Sequence, residues 1–113
     1  IATMLARHGE RAALRLLAEA ELAAFVAHSD PARLLAERFA AKKAFSKAIG
    51  TGLRAPVSFS NIAIKHNQLG QPHFEFAPQL QDWLTARGMA SSHLSISDEV
   101  DTVVAFVVLE GGA

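Results

Sequence analysis

The segment that most constrains this chain runs from Asp30-Pro31 to Gly50-Thr51-Gly52. Asp30 suits a helix N-cap, where its carboxylate accepts an orphan backbone N–H, and Pro31 suits the first helical position. Gly50 supplies a left-handed stop at little steric cost. Between these signals the spacing predicts one helix from Pro31 to about Ile49, roughly 28 Å long. At about 100° per residue, Leu34, Arg38, Ala41, Lys42, Phe45 and Ile49 share one sector. Such a stripe is what a helix buries, yet this one contains Arg38 and Lys42. A charge removed from water without a counter-charge is costly. The stripe therefore demands an anionic partner or a carboxylate from another subunit. Lys43 and Lys47 lie one turn apart on the other side and repel by roughly 0.2–0.5 kcal/mol. A bound anion would relieve that; the plainer alternative is a solvated helix end whose cations complement the macrodipole. Helix followed by glycine turn is the reverse of a glycine loop feeding a helix N-terminus, so a phosphate here must be met by side chains.

The flanking chain predicts more elements. Ile1 to about Leu17 forms an amphipathic helix, with Ile1, Leu5, His8, Ala12 and Leu16 on one face and Arg7, Arg11 and Arg15 as a basic ridge. Gly9 weakens it by roughly 1 kcal/mol relative to alanine, so a kink or break can fall there. The ridge is either a solvated face or a dock for an acidic partner. Glu19 to Ala27 is a second short helix. Val57 to Ile64 reads as a strand whose phase slip at Ser60-Asn61 implies a bulge. A turn on Asn67, Gly70 and Pro72 leads to a strand from His73 to Phe76. Pro78 to Arg87 is a helix with Leu80, Trp83 and Leu84 at core spacing and Gly88 as its stop. His93 to Ser97 alternates, and Thr102 to Leu109 is nearly all apolar, which predicts a strand buried on both faces. The order ααα-ββ-α-ββ defines an α+β fold, an antiparallel sheet packed with helices. A strand as apolar as Val103 to Leu109 wants two neighbours, so a strand preceding Ile1 or a second subunit is expected to cover it.

Composition narrows the function. The 113 residues suit one domain, and a 50% hydrophobic content is ample for its core. A formal net charge of zero gives no bulk attraction to nucleic acid. Without cysteine there is no disulfide or thiolate metal site, as suits the cytoplasm. No apolar run reaches the roughly 18 residues of a membrane span, and no signal-peptide pattern is visible. Serine-protease triad order, dinucleotide fingerprint and Walker motif are absent. None of the five histidines is paired at helical i, i+4 spacing for zinc. His8 reads as packing, while His66 and His73 flank a turn and read as exposed. His93 lies on a sheet face near acidic residues, where it is either a proton-transfer group or an ordinary surface residue. Asp98, Glu99 and Asp101 gather at a turn; they could bind a cation or act as a base, or simply be solvated.

Residues Arg38-Phe39-Ala40-Ala41-Lys42-Lys43-Ala44-Phe45-Ser46-Lys47-Ala48-Ile49-Gly50-Thr51-Gly52-Leu53-Arg54 resemble the signature of the bacterial holo-acyl-carrier-protein synthases, small trimeric phosphopantetheinyl transferases. Arg7-His8-Gly9-Glu10-Arg11 is similar to their first-helix region. Val57 to Ile62, Leu69 to Pro72, Leu94 to Glu99 and Val104 to Val108 are similar to the strands and turns that follow. The resemblance spans essentially the whole chain, implying a single domain over 1–113. It implies transfer of phosphopantetheine from coenzyme A to a carrier-protein serine, in support of fatty acid biosynthesis, with magnesium bridging the diphosphate to two carboxylates. By the same resemblance, Lys47 contacts phosphates, and Arg38, Lys42, Gly50, Thr51, Gly52 and Pro72 belong to the coenzyme A site. Arg7 and Arg11 dock the acidic acyl carrier protein, and Asp98 stands where some members carry a histidine that helps activate the serine. A cytoplasmic homotrimer with interface active sites is implied, without nucleic acid or membrane. Two departures stand out. The family's N-terminal strand, which carries one metal-binding aspartate, is expected to be missing before Ile1. The second metal ligand is a glutamate directly after the signature lysine, and that position is Lys43. Weak or absent magnesium-dependent transfer is the expected consequence; the alternative is an impaired subunit that still binds coenzyme A or the carrier protein.

Overall fold

The structure, a computed structural model, describes residues 10–112. Arg7, His8 and Gly9, and with them half of the predicted first helix, lie outside the described residues. Three helices lead the chain: α1 (Glu10–Leu16), α2 (Leu22–Ala27) and α3 (Pro31–Ile49). A 3-10 turn at Glu19–Glu21 precedes α2, so the predicted second helix is split. The predicted bounds of α3 are those observed. Asp30 accepts the Arg33 N–H at 3.2 Å, and Gly50 closes the helix at φ 89°.

The expected bulge at Ser60-Asn61 is instead a 3-10 turn at Phe59–Asn61, and β1 (Ile62–His66) begins only after it. Both devices shift the side-chain phase, so the pattern alone does not separate them. Strand β1 pairs antiparallel with β2 (Pro72–Phe76), placing Ile64 opposite Phe74. Helix α4 (Pro78–Ala86) then leads to a second antiparallel pair, β3 (Met89–Asp98) and β4 (Val103–Gly111).

The main core forms where α3 meets both strand pairs and α4. Ala41 and Phe45 of α3 pack with Val57, Ile62, Ile64, Phe74, Leu80 and Leu84. Phe45 is fully buried, with its ring centroid 5.2 Å from that of Phe74. Replacing such a side chain with alanine costs about 3–5 kcal/mol. A second cluster, of Leu16, Leu17, Leu34 and Leu35, ties the preceding helices to α3.

Strand β4 shows one of the two expected covers. Ala105, Val107 and Leu109 pack toward the core, but Val104, Phe106 and Val108 are 42%, 68% and 58% exposed. Alternate side chains of a strand point to opposite faces, and among the described residues only the α3 side of the hairpin is covered.

Candidate active site

Helix α3 presents different chemistry on different sides. On its inner side, Glu21 gathers the charges of the apolar stripe. Lys42 Nζ lies 2.5 Å from Glu21 Oε1 and also donates to the carbonyls of Leu16 at 2.8 Å and Phe59 at 3.0 Å. Arg38 Nε stands 3.0 Å from Glu21 Oε2 but out of line for a hydrogen bond, so that contact is electrostatic. The backbone N–H groups of Ala18 and Ile64 donate to the same carboxylate. Burial pushes the Lys42 ammonium below its ordinary value, and the Glu21 charge opposes that shift. Arg38 and Lys42 are thus buried with an internal counter-charge, which corrects their assignment to coenzyme A and the expectation of an external or intersubunit carboxylate. Glu21 was not among the predicted site residues. Its signal was a carboxylate at the start of a short helix, before a stripe that needed one.

On the outer side Lys43 and Lys47 are exposed. Buried Ser46 bends its hydroxyl onto the Lys43 carbonyl at 2.7 Å. The glycine turn then folds back: the Gly52 N–H donates to the Ser46 carbonyl at 3.1 Å, with Gly52 at φ 66°. Both Gly50 and Gly52 hold positive φ, a conformation that strains any residue with a Cβ. Gly50, Thr51, Arg54, Ala55 and Trp83 line a concavity of about 470 Å³ beside this turn. Arg54 and Trp83 were not among the predicted site residues. The Arg87 guanidinium lies over the Trp83 ring, 4.4 Å from its centroid.

Pro72 lines a different concavity, of about 430 Å³, with Asn67, His73, Ser92 and His93. A single chain therefore does not bring Pro72 to the Gly50 turn. His66 and His73 are exposed, as expected. His93 is exposed and pairs with Glu110 across the hairpin. Arg11 is exposed on α1. Asp98, at the end of β3, is bridged by Arg33 of α3. Glu37, one turn along α3, is half-buried, and burial together with the nearby Asp98 carboxylate holds its pKa above the ordinary value.

Magnesium requires oxygen ligands. Among the described residues, no three His, Asp or Glu side chains are gathered to hold a metal ion. Lys43 presents an ammonium where the resemblance calls for a carboxylate. An ammonium cannot ligate a cation, so position 43 does not fit the metal. No described helix is long and apolar enough to cross a membrane.

An α+β fold built on a long helix that ends in basic side chains and a glycine turn defines a class. The chain belongs to the 4'-phosphopantetheinyl transferase superfamily, whose family model matches residues 1–106. A holo-[acyl-carrier-protein] synthase of Laribacter hongkongensis is 58% identical over 108 residues, covering 96% of this chain and 86% of that protein. The crystal structure of the Neisseria meningitidis holo-[acyl-carrier-protein] synthase superposes with a TM-score of 0.93 at 48% identity, covering 96% of this chain and 86% of the other. The Helicobacter pylori synthase, solved in complex with coenzyme A, superposes with a TM-score of 0.81 at 25% identity over 97% of this chain and 90% of the other. The family, the α+β class and the enzyme class expected from the Arg38 to Arg54 signature are those found.

Proposed function

We propose that this chain transfers phosphopantetheine from coenzyme A to a serine of an apo-acyl carrier protein, with little dependence on magnesium. The observation that carries this reading is the end of α3: Lys43 and Lys47 exposed, followed directly by the Gly50-Thr51-Gly52 turn and its concavity. The similarity to synthases named for the carrier protein, and to one solved with coenzyme A, supports the substrate pair.

In this reading Lys47 and Lys43 meet the diphosphate, and Arg54 adds a third cation beside the turn. Positive charge placed where the leaving phosphate gains negative charge stabilises the transition state. The serine oxygen attacks the phosphorus attached to pantetheine. The bond to the adenosine bisphosphate leaving group breaks, and Asp98 takes the serine proton. Magnesium, the family's metal, supplies charge neutralisation of the diphosphate when bound; here the Lys43 ammonium takes over part of that charge. Arg11, with Arg7, docks the acidic carrier protein. A homotrimer covers the Val104, Phe106 and Val108 face and brings the Pro72 concavity of one subunit to the Gly50 turn of another.

The test is a calorimetric titration of coenzyme A with and without magnesium, on the parent chain and on Lys43→Glu. The parent is expected to bind equally well in both conditions. Lys43→Glu is expected to bind about tenfold or more weakly without magnesium, through lost attraction and new repulsion, and to recover when magnesium is added. A strong magnesium requirement in the parent would sink the charge-replacement reading. The second reading, an impaired binding subunit, is favoured by Lys43 itself; coenzyme A binding without any carrier modification would establish it.

A further inference from the structure

The turn between β3 and β4 is clasped by one side chain from the far end of α3. Arg33 Nη1 donates to the Val100 carbonyl at 3.1 Å, and Arg33 Nη2 meets both the Glu99 carbonyl and the Asp98 carboxylate. The three acceptors belong to consecutive residues, and only a planar fork of donors serves them together. Apart from this clasp, a Glu99 N–H bond to the Thr102 carbonyl at 2.8 Å closes the turn. Val100 at its tip is 89% exposed, so apolar packing does not hold the turn in place.

We propose that Arg33 is a positioning residue for transfer: its clasp on the turn aims the Asp98 carboxylate at the serine proton. This rests on the role given to Asp98 above and extends it to a residue outside the signature segment. A lone surface ion pair contributes little, but this guanidinium also engages two backbone carbonyls, which an ion pair alone does not require. Glu37 lies beside the same carboxylate, one helical turn from Arg33, and titrates above its ordinary value through burial and Asp98. The charged groups around Glu37 are Asp98, Arg38 and His28, with Arg33 paired to Asp98. Lowering the pH through the Glu37 titration removes one of two neighbouring negative charges. The rate responds to that change in local charge.

The experiment measures carrier modification by the full chain across pH, for the parent, Arg33→Gln, Arg33→Lys, Glu37→Gln and Asp98→Asn, with coenzyme A binding measured alongside. Arg33→Gln is expected to lower kcat about tenfold or more, with KM for coenzyme A within twofold. Arg33→Lys is expected to recover little of the loss, because an ammonium keeps the charge but not the fork. Glu37→Gln is expected to alter the acid limb of the pH profile that the parent shows. An unchanged kcat in Arg33→Gln beside a slowed Asp98→Asn overturns the role of Arg33 alone. So does full rescue by Arg33→Lys. A neutral Asp98→Asn, or a parent without transfer, overturns the underlying reading and the role of Arg33 with it. Circular dichroism and coenzyme A binding separate these outcomes from misfolding: a variant that has lost both is replaced by Arg33→Met, which keeps the stem of the side chain.

Discussion

Substituting Glu21 tests how the long helix is seated. Its carboxylate faces the Lys42 ammonium, the Arg38 guanidinium and two backbone N–H groups. Both ends of the Glu21–Lys42 pair are almost wholly buried, at 1% and 0% side-chain exposure. Glu21→Gln keeps the shape but removes the charge and places an amide N–H₂ where an acceptor is needed. Lys42 keeps the Leu16 and Phe59 carbonyls, while Arg38 loses the ion pair it makes with Glu21. Removing one partner of a buried pair costs about 3–5 kcal/mol. That is a large share of the roughly 5–15 kcal/mol that holds a domain together. Urea unfolding followed by circular dichroism at pH 7 reads the loss as a lower midpoint. Lys42→Met on its own strands the Glu21 charge beside Arg38, and the double variant Glu21→Gln/Lys42→Met is expected to lose less than the sum of the two. Neighbours in one network are not additive. A cost below about 1 kcal/mol for Glu21→Gln, or strict additivity, would refute the reasoning. It would mean that the charges are solvated and that apolar packing alone seats α3.

Two further outcomes follow from other parts of the fold. Phe106→Asp puts a charge on the exposed apolar face of β4; under the proposed trimer it is expected to lower the native mass toward that of a monomer, read by native mass spectrometry beside the parent, and a mass equal to the parent's would exclude that face from the assembly. Glu37 titrates above its ordinary value of 4.5 because of burial, first, and then Asp98. An acid whose pKa is raised on folding binds more protons in the folded state, so its contribution to stability is present at low pH and declines as pH rises from about 4.5 through the raised value. Glu37→Gln is expected to flatten that part of the thermal midpoint profile, and an unaltered profile would count against the shift.

How far the sequence speaks differs between elements. Helix α3 was legible to the residue because its signals are local: Asp30 caps it, Pro31 starts it and Gly50 stops it. The need for a counter-charge beside Arg38 and Lys42 was legible too, since burial of a cation follows from helical phase. Its source was not, because Glu21 is far away in sequence and only the packing of the 3-10 turn against α3 and β1 brings it there. The same limit applies to Arg33, which meets the Asp98 turn across an interval of more than sixty residues. Strand β4 was legible as a strand that wants two covers, but continuous apolar composition does not say which surface supplies the second. Arg54 escaped notice because a loop residue carries no periodic signal, and Trp83, placed at core spacing, was read as packing rather than as part of a site.

Lys42 and Lys43 show why fold and chemistry can part company in this chain. Adjacent residues on a helix point about 100° apart. Lys42 is drawn inward by Glu21, and this fixes the rotation of α3 about its axis. The direction of Lys43 is then set as well, toward solvent, on the same outer side as Lys47. A carboxylate or an ammonium at position 43 would project from the same backbone with no effect on the core below. The rest of the signature is therefore free to persist around a changed charge. The inner lysine decides where a ligand's phosphates can be met, and the outer one decides with which sign.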